Sequence, residues 1–293
     1  MNLNLGDIYA VLTAFCWSSA VILFDISSRK LSSLQMNVIK NFIGVTGFIA
    51  TIIILNIPIP RLATSDLIIL IISGFIGVAI ADLFFLSSLS RLGSGLAAIV
   101  STIYSPAIFL FSFLMFNETI SIQAYLGAIL VIGGIFISTF KIPTKKDKNI
   151  IIMGVLFGMV AQVLTAYSVL LVKPIMVNNS IIIVALIRFS IGLFLTAGFL
   201  IFKTNISGLI STLKNGLTNV TIISGSILGT FLSVIFWLGG FKYTLAGRAA
   251  IYNQLSTVLI MIMAVIFLKE TMSSKKWIGI LLSVSGALLV SYG

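Results

Sequence analysis

Three residues carry a full charge where the surrounding sequence is apolar. They are Lys40 in "NVIKNFIG", Asp82 in "GVAIADLFF" and Arg188 in "VALIRFSIG". An ionised side chain at the centre of a bilayer costs about 2.5–3.5 kcal/mol on insertion scales, so such a group finds a partner or lines a wet cavity. A fourth, Asp25, stands at the end of the first apolar run. Three roles are open to Asp82: it could hold a coupling proton, pair with Lys40 or Arg188, or receive a cationic group of a solute. The chain has no histidine, so Asp82 is the proton-coupling candidate. Two cations against one clear acid leave a positive excess, which favours an anionic or zwitterionic solute such as an amino acid or carboxylate. Long basic side chains can instead snorkel to the interface.

Neutral polar groups extend the candidate binding set. "YNQ", Tyr252, Asn253 and Gln254, begins a late apolar run. Its amides and hydroxyl can fix the polar end of a solute, or bond one helix to another. Trp17, Tyr104 and Trp237 are candidate cavity walls, although aromatic residues also fill spans without further role. Pro106 should kink its helix and free a carbonyl, which makes it a gating candidate.

The elements that must position these groups are membrane spans. The chain has 293 residues, of which 59% are hydrophobic and 9% charged. Soluble domains carry about a quarter charged residues. Ten apolar runs are long enough to cross a bilayer as helices. They are Ile8–Phe24, Leu34–Leu55, Leu67–Leu89, Leu96–Phe116, Ala124–Phe140, Ile150–Val172, Ile181–Phe202, Val220–Phe241, Ala249–Leu268 and Trp277–Tyr292. The strict alternation of a transmembrane β-barrel is absent. The first run follows no positive n-region and precedes no small-residue cleavage site, so it reads as a retained span.

Composition also excludes classes of function. With no histidine and the single Cys16, the chain cannot form an internal disulfide and is a poor candidate for a metal or cofactor site. No nucleophile–base spacing suggests an enzyme, and no G-x-x-x-x-G-K-[ST] loop suggests direct use of ATP. The net charge of +11 comes from lysines in short loops, where it sets topology rather than attracting nucleic acid.

The chain repeats itself. "AAIVSTIYSPAIFLF" from Ala97 aligns without a gap with "AAIYNQLSTVLIMIM" from Ala249. The match carries Gly95, Glu118, Thr119, Gly127 and Gly134 onto Gly247, Glu270, Thr271, Gly279 and Gly286. "IKNFIG" aligns with "IRFSIG", setting Lys40 opposite Arg188 and Gly44 opposite Gly192. Two units result, residues 1–141 and 149–293, each of five spans. An odd number of spans inverts the second unit in the membrane, the arrangement of many secondary transporters, with a site near the midplane between halves. The halves are not identical. Val234 stands opposite Asp82 and Val258 opposite Pro106. Glu118 and Glu270 are expected to cap the N-terminus of the helix that follows each. Gly127, Gly133, Gly134, Gly279 and Gly286 allow close helix contact.

With these features in this order the chain resembles the drug/metabolite transporter superfamily, in particular its ten-helix EamA-type members. The residues that carry the resemblance are Trp17, Lys40 and Arg188, the small-residue starts of spans 4 and 9, Pro106, and "ET" before a glycine-bearing last helix in each half. The resemblance implies an all-α carrier of two inverted five-helix repeats in the plasma (inner) membrane that moves small metabolites by export or exchange. It also implies that the last helix of each repeat can mediate a homodimer; internal packing is the other use of those glycines. The related four-helix exporters use a glutamate in their first span, and spans 1 and 6 here have no interior acid. The two signals for orientation differ. Most loop lysines and arginines, including Arg29, Lys30, Lys145, Lys146, Lys275 and Lys276, lie opposite the termini, against Arg61, Lys173, Lys242 and Arg248 on the terminal side. The positive-inside rule therefore sets both termini outside, whereas the resemblance sets them inside. The expectation is a secondary-active transporter of small organic solutes, with the lipid bilayer as its other partner. The alternative is a channel or a non-transporting receptor, although no filter or charge ring is visible.

Overall fold

A computed structural model describes residues 4–116, 122–139, 147–271 and 273–292, and all their regular structure is helical. Seven helices are long and apolar enough to cross a membrane: Leu5–Ser28, Ser33–Ile54, Thr64–Leu92, Ser94–Phe116, Lys148–Asn178, Ile181–Thr204 and Val220–Tyr243. Ile122–Thr139, the consecutive pair Ala246–Asn253 and Leu255–Leu268, and Ser274–Tyr292 complete the ten. Spans are numbered 1 to 10 in chain order.

Local sequence explains where spans begin. Asn4 accepts from the Asp7 N–H while the Asp7 side chain accepts from the Asn4 N–H. Ser32 and Gln35 form the same reciprocal cap on span 2. Such boxes satisfy amides that have no partner within the helix. Span 6 runs past Pro174 to Asn178, whereas the apolar run ended at Val172. A proline removes one backbone bond, but Ile175 and Met176 just beyond it are buried, and their packing carries the helix on.

One helix was not foreseen. Ile206–Leu217 lies in the connection between spans 7 and 8. Its start is set by Asn205, which has φ 88° and accepts from the Gly208 N–H. Leu209 and Leu213 pack against Leu34, Val38 and Leu200, while Ile206, Ile210 and Leu217 are exposed. Apolar residues beside an exposed face of serines and Lys214 suit a helix lying in the membrane interface.

The repeat governs the interior. Spans 3 and 8 each open into a π-helical stretch, Gly74–Ala81 and Ile227–Leu232. Spans 4 and 9 break at the matched positions Thr102 and Gln254. Span 2 meets span 8 at Gly44, where a Cβ would stand 2.6 Å from the Thr230 Cγ2. Span 7 meets span 3 in the same way, with Gly192 against the Val78 Cγ1. These paired contacts relate the two halves as inverted repeats.

The last helices of the halves pack on each other. A Cβ on Gly286 would lie 2.6 Å from the Gly127 carbonyl, and one on Gly134 would meet Ser283 and the Gly279 carbonyl. Gly134 and Gly286 thus serve internal packing, while a Cβ on Gly133 would meet no other part of the described residues within 4 Å.

Candidate functional site: a cavity between the halves

Spans from both halves enclose a cavity of about 140 Å³ near the middle of the helix lengths. An engineered apolar cavity of about 150 Å³ takes benzene. Trp17, Lys40, Asp82, Tyr104, Arg188, Trp237, Asn253 and Gln254 all line it. Tyr252 is not among the lining residues, and neither is Pro106. Pro106 lies just after the break in span 4. Having no N–H, it cannot donate to the Thr102 carbonyl, which takes the Ser105 N–H at 3.3 Å instead. Span 9 breaks at the matched Gln254 with Val258 in the proline's place, so the break does not depend on the proline.

In the first half the charge is paired. Lys40 Nζ lies 2.6 Å from Asp82 Oδ2 and donates to Asn41 Oδ1 at 2.9 Å. Asn41 donates to Asn37 Oδ1 at 3.2 Å, and Asn37 Nδ2 donates to the Val78 and Ala79 carbonyls at 3.3 Å. Those carbonyls belong to the π-helical stretch of span 3. The polar face of span 2 thus serves two ends: it supplies donors to a loosened helix and it neutralises a carboxylate. Of the three roles open to Asp82, ion pairing is the one the structure displays.

In the second half the basic residue has no carboxylate within ion-pair distance among the described residues, although Asp82 is near enough to act on it through space. Arg188 is 2% exposed. Its Nη2 donates to Ser168 Oγ at 3.2 Å, and the guanidinium carbon lies 5.7 Å from the Trp237 ring centroid. Among the described residues, Nε and Nη1 have no hydrogen-bond partner. Glycines of span 3 admit this arrangement. A Cβ on Gly74 would stand 2.6 Å from the Arg188 carbonyl, and one on Gly77 would meet Ser168 Oγ. A buried guanidinium with open N–H groups is a strong donor set for a carboxylate or phosphate.

Neutral groups tie the halves across the cavity. Trp237 Nε1 donates to the Tyr104 hydroxyl at 3.1 Å, and Gln254 Nε2 donates to Ser105 Oγ at 2.7 Å. Gln254 Oε1 also accepts from Thr257. Its amide therefore staples the broken regions of spans 4 and 9. Asn253 lines the same cavity, and its Oδ1 is buried with no partner among the described residues.

Sequence reasoning missed Asn37 and Ser168. Asn37, Lys40 and Asn41 fall at helical spacing on one face of span 2, so a signal for Asn37 was present. Ser168 is one hydroxyl among many in apolar helices, and nothing in its spacing marks it.

Glu270 corrects another expectation. It does not cap the helix that follows it. It accepts from Ser94 Oγ at 3.1 Å and from the Gly95 N–H at 3.4 Å, at the start of span 4 in the other half. Asp25 takes the Ser94 N–H at 3.0 Å. The first amides of a helix attract any acid that packing brings near, and here the fold brings two from far along the chain. Glu118 and Thr119 lie outside the described residues.

Residues 4–140 and 152–292 each match the EamA-like transporter family. A curated protein from Archaeoglobus fulgidus, described as an uncharacterized transporter, is 23% identical over 279 residues, covering 94% of each chain. A solved crystal structure superposes with a TM-score of 0.69 at 16% identity, covering 97% of this chain and 95% of the other.

Proposed function

Since this chain belongs to the EamA-like transporter family, matched twice along its length, we propose that it is a secondary-active carrier, an exporter or exchanger, of small organic metabolites. Family membership makes it a multi-pass membrane transporter and not an enzyme. The proposed solutes are amino acids or other zwitterionic or anionic metabolites, and the proposed location is the plasma membrane. Transport runs by alternating access, the two repeats rocking about a site between them.

The observation that carries this reading is the cavity itself. Both repeats contribute to its wall, and its charge sits on three residues, the buried Lys40 and Arg188 and the half-buried Asp82, rather than on a continuous ring. The proposed binding set is Trp17, Lys40, Asp82, Tyr104, Arg188, Trp237, Asn253 and Gln254. Asp82 is the proposed proton-coupling residue and Pro106 the proposed gating residue.

Counterflow in proteoliposomes tests the carrier. Labelled alanine and labelled lactate are offered outside, with the same unlabelled solute inside. A carrier gives saturable uptake stimulated from the far side for at least one of them. A channel gives flux that neither saturates nor responds to the far side, and a receptor gives none. Coupling is tested separately. Asp82→Asn should remove the pH dependence of net transport and spare exchange; normal pH dependence in a stable variant ends the coupling role. Pro106→Ala should alter the transport rate more than the expression level.

A further inference from the structure

Of the described residues lining the cavity, Lys40, Asp82 and Arg188 carry charge. The first two neutralise each other at 2.6 Å. Together the three groups leave the cavity one net positive charge, carried by a guanidinium whose Nε and Nη1 have no partner among the described residues. We infer that the solute this cavity takes is a small organic monocarboxylate, of net charge −1, held by its carboxylate on Arg188.

The argument is one of charge balance in a desolvated place. A buried charge left without compensation is costly, and a bound partner that supplies the opposite charge relieves the cost. A monoanion balances Arg188. A zwitterion brings its own cation into the same space and leaves the excess where it was. A phosphate monoester carries about −1.5 to −2 at neutral pH and over-compensates. The planar carboxylate also fits the guanidinium geometry, for which a lysine would be a poor substitute.

The remaining wall agrees. The Arg188 guanidinium carbon lies over the Trp237 ring, 5.7 Å from its centroid, and the Trp237 N–H is already spent on Tyr104. Trp17, Phe85 and Phe189 also line the cavity and give aromatic surface for the apolar body of a solute. Asn253 Oδ1, buried and unpartnered, calls for a donor on the same solute, and a hydroxyl meets that need without adding charge. A cavity of about 140 Å³ limits the body to roughly the bulk of one ring. The inference rests on the carrier reading for its place in transport, but the binding it asserts stands on the site alone.

Thermal unfolding of the purified full-length protein, at fixed ionic strength, reads the binding. The probes are lactate and mandelate, their neutral amides lactamide and mandelamide, the zwitterions alanine and phenylglycine, and the dianion malate. Lactate and mandelate should raise the unfolding temperature saturably. At least one should bind tenfold or more tightly than its amide, its zwitterionic analogue and malate. Val234→Asp places a carboxylate where the first half has Asp82. It should reduce both monocarboxylates to the level of their amides, and Val234→Asn should not. Arg188→Gln should act as Val234→Asp does; if that variant does not fold, the two Val234 variants decide the matter. The inference is overturned if a zwitterion or malate binds more tightly than both monocarboxylates. It is equally overturned if Val234→Asp leaves their binding unchanged, or if neither shifts the wild type. Failure of the carrier reading looks different: monocarboxylates bind with this charge dependence, but no solute shows stimulated counterflow.

Discussion

The first and second halves of this molecule share a backbone and differ in charge. Gly44 and Gly192 make the same contact, spans 3 and 8 loosen at the same level, and spans 4 and 9 break at matched residues. At the matched levels the side chains diverge. Lys40 has Asp82, Asn41 and Asn37 around it. Arg188, its counterpart, has Val234, Phe189 and Ala185 in the corresponding places. Features that let helices approach and bend occur twice because each half must pack against the other. The buried ion pair and its amide network occur in the first half alone, so the shared scaffold does not require them.

The largest consequence of the difference is in stability. Lys40→Met takes from the partly buried Asp82 carboxylate the one ion-pair partner it has among the described residues, leaving only the more distant Arg188, and breaking a buried pair in this way costs about 3–5 kcal/mol. Arg188→Met strands no opposite charge and should cost far less. Thermal unfolding of both variants measures the gap, and Lys40→Met with Asp82→Leu should recover most of the loss. Equal losses from the two single variants would mean that Arg188 is paired after all.

Shared packing should show the reverse, two similar losses. Gly44→Ala and Gly192→Ala each push a methyl into a neighbouring side chain. Overpacking of this kind costs about 1–3 kcal/mol. Near-equal shifts in unfolding temperature are expected; a tolerated change at one site alone would show that the repeat is looser there. A smaller effect separates the π-helical stretches. Asn37→Leu removes the donors to the Val78 and Ala79 carbonyls and should cost about 1 kcal/mol. Ala185→Asn, the matched change in the second half, should bring no gain. The smallest expected effect is at the cross-half cap. Glu270→Gln keeps the hydrogen-bond acceptor and loses the charge facing the start of span 4, a loss of about 0.3–1 kcal/mol that salt should mask.

Much of this was legible from the residues. Ten spans, their order and the inverted repeat follow from runs of apolar sequence and from the Gly95–Gly247 and Lys40–Arg188 matches, because hydropathy and glycine contacts leave local traces. Eight of the nine candidate binding residues line the cavity, since a polar group in an apolar span has few other tolerable places. Tyr252 shares its run with Asn253 but not its face, and one residue of helical rotation separates a wall from a packing surface. The pairing of Asp82 with Lys40 rather than Arg188 could not be read in advance, because both cations stood open to it until span 2 and span 7 had positions. The helix Ile206–Leu217 was hidden by its length, too short and too polar for a span and too regular for a loop.

The bond from Glu270 to Ser94 also bears on how the protein can be labelled. The connection between spans 9 and 10 is short and carries lysines, and it invites insertion of an epitope or a fluorescent reporter. Lengthening it around Glu270 would pull the carboxylate from a helix start 176 residues earlier in the chain. The turn at Thr218 lies in the connection between spans 7 and 8, on the same side as the connection between spans 9 and 10, follows the helix Ile206–Leu217 and is exposed. A reporter inserted there leaves both halves joined as they are, and its accessibility from either side of the membrane gives the orientation that the loop charges and the family resemblance assign differently.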